Sequence, residues 1–204
     1  MYYILESDSL LEPGAYSAAY DGADPEWEIT DFLMGRLFDA TLKQPVEIRL
    51  YEYDKGDVGI PDYFDDPLPM MSQLMIDVLE GCGVDNIQLF PVILKNKERN
   101  LILENYKAVN IIGVIEAADM KNSDYIDMGG TGKVAVGFRN LVVDEEKAKG
   151  ALMFRLAESL STVLIHEKLK EAIEKCGLKY LRFIPCVKFD VDEEFNVDDY
   201  DWDA

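Results

Sequence analysis

The chain has 204 residues, 49% hydrophobic and 11% aromatic, which is enough apolar surface to offset the chain entropy of a domain and argues against wholesale disorder. Its 40 acidic and 20 basic residues give a formal net charge of −20, and this argues against direct binding to nucleic acid or an anionic membrane, where Lys and Arg must displace counterions. No stretch approaches the roughly 20 apolar residues needed to span a bilayer.

The acidity sits at the ends. Residues 1–35 hold eight acids and no Lys or Arg, and residues 189–204 hold another eight and none, leaving 24 acidic and 20 basic residues in between. Such ends favour a basic partner and salt-sensitive association; an acidic tail also serves solubility alone.

The start, "MYYILESDSLLEPG", has no basic segment and reaches Glu6 and Asp8 before an apolar run develops, so it does not read as a secretion signal. Residues 2–5 predict a strand. Pro13, Gly14, Gly22 and Pro25 then break the chain into loops, with Trp27, Ile29, Phe32 and Leu33 as core candidates. "PVEIRLYEY" alternates Val46, Ile48 and Leu50 on one face with Glu47, Arg49 and Tyr51 on the other, the pattern of a half-buried strand.

A turn-rich loop is expected over 54–70, "DKGDVGIPDYFDDPLPM". Ser72 then caps a predicted helix with Leu74, Met75, Val78, Leu79 and Cys82 at helical spacing and Gly81 and Gly83 at its end. Residues 86–94 and 106–118 read as paired central strands around the charged turn "KNKERN". A loop over 120–133 leads into an alternating strand with Val134, Val136 and Phe138 on one face.

Asp144 predicts the cap of a short helix that Gly150 stops, and "ALMFRLAES" is extended. In "HEKLKEAIEKCGLKYLRFIP", Leu169, Ala172, Ile173 and Cys176 share one helical face, Gly177 ends the helix, and "YLRFI" returns as a strand. These elements predict an α+β fold with a mainly antiparallel sheet and a few short helices. Residues 1–188 read as one domain and 189–204 as an acidic tail.

Catalytic signatures are sparse. "GGTGKV" imitates a phosphate loop, but Asp127 stands where the first Gly belongs and Val134 where Ser or Thr must follow Lys133. The single histidine, His166, falls where a helix cap is expected, and Cys82, Cys176 and Cys186 lack metal-site spacing. Three scattered cysteines, an odd number, fit a reduced, cytoplasmic setting. "DYDWDA" alternates Asp199, Asp201 and Asp203 like the start of a calcium loop, without the Gly and distal Glu that such a loop needs. Forty acids leave paired-carboxylate chemistry open, and a scaffold role is a further alternative.

Four blocks, "GRLFDA" (35–40), "PDYFDDPLPMMSQLMIDVLEGCGVDNIQLFPVIL" (61–94), "YKAVNIIGVIEAADMKNSDY" (106–125) and "NLVVDEEKAKGALMFRLAESLSTVLIHEKLKEAIEKCGLKYLRFIP" (140–185), together resemble the bacterial immunity-protein family called Imm-eleven, over about 30–185. The chain departs from that family's usual pattern where Ser is common at the position of His166 and Gly at that of Tyr180. The resemblance implies a cytoplasmic protein, encoded beside a secreted toxin, that binds and blocks the toxin without a cofactor or enzymatic reaction. It carries no toxin-contact motif.

Acidic side chains can occupy a basic cleft in place of phosphates, so the expected partner is a cognate toxin with a basic surface. The candidate contacts are the C-terminal arm, Asp198, Asp199, Tyr200, Asp201, Trp202 and Asp203, and the loop residues Asp62, Phe64 and Asp65. Phe64 also reads as an anchor of its own loop. The oligomeric state is left open, a homo-oligomer included.

Overall fold

The computed structural model describes residues 1–7, 16–20, 32–37, 45–52, 59–127 and 136–186. The tail with its candidate contacts 198–203 and the "GGTGKV" stretch lie outside the described residues. In chain order the first half comprises β1 (Tyr2–Ser7), β2 (Tyr16–Ala19), β3 (Val46–Glu52), β4 (Tyr63–Phe64), β5 (Met70–Ser72), helix α1 (Gln73–Gly81), β6 (Ile87–Asn96) and β7 (Leu101–Ile111). The second half comprises β8 (Val114–Ile115), β9 (Asp124–Asp127), β10 (Val136–Asn140), α2 (Glu145–Ala148), β11 (Met153–Leu156), β12 (Ser159–His166), α3 (Glu167–Lys175) and β13 (Leu181–Pro185).

The expected single sheet is in fact two large sheets and a ribbon. Six strands run in the order β2-β3-β6-β7-β5-β4, five in the order β13-β1-β12-β11-β8, and β9 pairs with β10. Pairing is antiparallel except for β3 with β6 and β11 with β8. Alternation along a strand distributes side chains to two faces, and here apolar layers cover parts of both faces of each large sheet, with Glu47 and Arg49 of β3 left exposed.

Three apolar layers result. One lies on the six-stranded sheet and holds Phe32, Ile48, Leu50, Phe64, Met70 and Leu94. Another lies between the two sheets and holds Leu5, Tyr63, Met71, Val109, Met153, Val163 and Ile165, together with Met75, Ile76 and Leu79 of α1 and Leu169 and Ile173 of α3. The third covers the far side of the five-stranded sheet with Tyr2, Ile4, Phe138, Phe154, Leu156 and Leu164. Consecutive residues therefore serve different layers: Tyr63 faces the middle and Phe64 the outside, as do Met71 and Met70.

The helix caps follow the sequence. Ser72 accepts the Met75 N–H at 3.2 Å, and Asp144 accepts those of Glu146 and Lys147 at 3.1 and 3.2 Å. His166 Nδ1 accepts the Lys168 N–H at 3.2 Å, replacing the hydroxyl oxygen usual at such a cap. In α1, Leu74 is 52% exposed and Ile76 fully buried, so the buried stripe is rotated from the expected one.

Several boundaries differ from expectation. β7 starts at Leu101 rather than Tyr106, and it stops at Ile111 because Gly113, at φ +101°, turns the chain toward β8 in the other sheet. Two expected loops contain β4 and β9. β12 was not anticipated as a strand, since it passes into α3 with no intervening turn, its last residue His166 being the helix cap.

Candidate functional site

The segment 59–70 crosses the edge where the two sheets meet. Its backbone is held at both ends: Gly59 O accepts the Tyr16 N–H at 3.0 Å, and Ser72 N–H donates to Asp62 O at 2.9 Å. The Asp62 carboxylate is committed to the fold. It accepts Ser72 Oγ–H at 2.6 Å and the Lys179 N–H at 2.8 Å, tying this segment to the turn before β13. Phe64 is 1% exposed and packs edge-on against Tyr106 at 6.1 Å, which supports its reading as the loop's anchor; in this conformation its ring offers no surface to a partner.

Asp65 is placed differently. Strand β4 ends at Phe64, and the carboxylate of the next residue turns to the seam between the sheets, where Oδ2 accepts the Ser7 N–H of β1 at 3.1 Å. The residue is exposed at the surface, but partial desolvation at the seam raises its pKa, and the neighbouring Asp66 carboxylate adds to the effect against the opposing pull of backbone hydrogen bonds.

Asp65 and Asp66 form part of the wall of a pocket of about 300 Å³. Leu5 and Glu6 of β1, Tyr63, Leu33 and Pro69 line it from one side, and Arg155, Ser161 and Thr162 from the β11–β12 hairpin. Burial raises the Tyr63 pKa strongly, which keeps its phenol protonated. Glu6 is held by Arg182 across the sheet at 2.6 Å.

Arg155 is the functional candidate that sequence reasoning missed. It is 1% exposed, one of four successive buried residues in β11. Met153 belongs to the layer between the sheets and Phe154 and Leu156 to the outer one, so alternation directs Arg155 to the middle layer and the pocket. The register shifts between Arg155 and Leu156, an irregularity of the kind that re-aims a side chain. Nη1 donates to the Leu160 carbonyl at 2.8 Å, while Nε and Nη2 are buried without a hydrogen-bond partner. Among the described residues no carboxylate forms an ion pair with it, and desolvation lowers its pKa. The available signal was a lone Arg inside the apolar run "ALMFRLA", where strand alternation would otherwise place an apolar residue.

Among the described residues no group of three or more His, Cys, Asp or Glu is arranged to hold a metal ion, and no helix is long and apolar enough to cross a membrane. All three cysteines are free thiols; burial pushes that of Cys186 up to about 12. The site is thus a small pocket with a cationic floor and an acidic wall, suited to recognition by charge.

The model of the Immunity protein family (Imm11) matches residues 1–188, more than nine-tenths of the chain, and the chain belongs to that family. The match extends the sequence resemblance, drawn over about 30–185, to β1 and the other N-terminal residues. Comparison with curated proteins finds no match.

Proposed function

We propose that the protein is the inhibitor of a cognate secreted toxin, which it binds in the cytoplasm of the cell that makes the toxin, acting by occlusion and without catalysis. The observation that carries this reading is the family match over residues 1–188. The net charge of −20, concentrated at the two ends, supports a toxin with a basic surface, to which association is steered and salt-sensitive. In this reading residues 1–188 act as one folded unit, and 198–203 form an arm whose Tyr200 and Trp202 are apolar anchors among carboxylates, with Asp65 on the folded body as a further contact.

A second reading, a carboxylate-dependent enzyme, is favoured by the pocket that gathers Glu6, Asp65 and Asp66. It is the weaker one, because Glu6 is engaged by Arg182 and one oxygen of Asp65 by the Ser7 N–H.

Co-expression with the toxin domain encoded by the adjacent gene, followed by size-exclusion chromatography at low and high salt and a growth-rescue assay, tests the proposal. A salt-sensitive complex that rescues growth is expected. A salt-insensitive complex would move the interface to the apolar body, and neither complex nor rescue would overturn the inhibitor reading.

A further inference from the structure

An arginine removed from water without a counter-charge costs several kcal/mol, so a fold that retains one in a strand of apolar neighbours requires a physical reason. In Arg155 the unsatisfied nitrogens are Nε and Nη2, while Nη1 is occupied by the Leu160 carbonyl. Nε and Nη2 form the side-on fork of the guanidinium, whose two parallel N–H bonds match the two oxygens of one carboxylate. Arg155 is among the residues lining a pocket of about 300 Å³, at the small end of the range for ligand sites, and because Nε and Nη2 are closed off from solvent in this conformation, a ligand must turn the side chain toward the cavity to reach them.

The rest of the lining narrows the ligand. Asp65 and Asp66 on the same pocket disfavour a dianion such as phosphate and favour a positive charge beside the bound carboxylate. Leu5, Leu33 and Pro69 supply short apolar walls, and Tyr63 and Ser161 bring hydroxyl groups.

We propose that this pocket binds a free small amino carboxylate, of the size of a single amino acid, with its carboxylate on the Nε–Nη2 fork of Arg155 and its ammonium facing Asp65 and Asp66. The site is distinct from the acidic tail, and the proposal does not depend on the identity, or the existence, of a toxin partner.

Isothermal titration and thermal unfolding of the full chain with each of the twenty common amino acids, and with acetate, ethylamine and inorganic phosphate, test it. At least one amino acid is expected to bind with one-to-one stoichiometry and to raise Tm by about 5 °C at ~100 times its Kd. Acetate should bind at least about tenfold more weakly and ethylamine and phosphate not at all, since each lacks one half of the charge match. Arg155→Met should abolish the response while leaving the ligand-free Tm equal or higher, because it removes an unpaired buried charge; an arginine that serves packing alone would give a lower Tm. Arg155→Lys should lose at least about tenfold in affinity, a point charge being unable to supply the fork.

Absence of binding by every amino acid, or binding that survives Arg155→Met, would overturn the proposal. Should Arg155→Met fail to fold, NMR of the Arg155 Nε–H in the unaltered chain decides: a shift on titration with the binding amino acid supports the assignment, and no shift refutes it.

Discussion

Asp62 and Lys179, 117 residues apart, exchange two hydrogen bonds: the Lys179 N–H donates to Asp62 Oδ2 at 2.8 Å and the Asp62 N–H to the Lys179 carbonyl at 3.1 Å. With Ser72 Oγ–H on the other carboxylate oxygen, Asp62 clamps the edge of the six-stranded sheet to the turn that enters β13 of the other sheet. Asp62→Ala removes the acceptor of two hydrogen bonds and loosens the α1 cap, so a loss of about 2 kcal/mol is expected. Urea unfolding measures it; an unchanged midpoint would show that the clamp contributes nothing to stability.

Gly59 and Tyr180 form a second contact between these segments. A Cβ on Gly59 would lie 1.9 Å from the Tyr180 hydroxyl, so Gly59→Ala must displace the ring, at about 1–2 kcal/mol. Tyr180 is left-handed at φ +57°, the conformation that glycine adopts without penalty. In a Tyr180→Gly background, Gly59→Ala should therefore cost almost nothing. A double-mutant cycle by chemical unfolding reads this coupling, and additive effects would refute it.

Asp65 sets a pH dependence. Its pKa in the folded protein lies above the ordinary 3.8, so the folded state holds its proton more tightly than the unfolded one and loses stability from this group as pH rises through that value toward the folded pKa. Asp65→Asn keeps an oxygen to accept the Ser7 N–H and removes the titration. The variant should be more stable than the parent at neutral pH, and the difference should vanish below pH 3.8, as Tm measured from pH 3 to 7 would reveal. A constant difference across that range would assign the effect to packing.

At the start of α3, His166→Ala removes the acceptor for the Lys168 N–H and the edge contact with Tyr2, with an expected loss of about 1 kcal/mol. His166→Ser restores a cap and should recover most of it. Equal stabilities of the Ala and Ser variants would place the contribution of His166 in the Tyr2 contact.

Charge reversal at Asp199, Asp201 and Asp203 to Lys addresses the arm. Weaker binding of the cognate toxin and a flatter dependence of affinity on salt are expected from titrations at several ionic strengths. Unchanged affinity would remove the arm from the interface and leave it a solubility device.

Local chemistry made much of this protein legible in its sequence. Ser72, Asp144 and His166 announced their helix caps because a cap is a short-range hydrogen bond, and Val46, Ile48 and Leu50 announced a buried strand face because alternation is a property of one strand. The four sequence blocks carried the family. What required the tertiary structure was the meeting of segments distant in the chain. Division into two sheets depends on where Gly113 sends β8 and on which strands face each other, and a period of two is the same whether one face is buried or both. Asp62 and Asp65 looked alike as residues of one loop, yet they became a clamp and a pocket wall, whereas Phe64 keeps the anchoring role its sequence context suggested. Arg155 had no visible role until Tyr63, Asp65 and the β11–β12 hairpin closed a pocket around it, because the cost of burying a charge depends on everything that surrounds it in space.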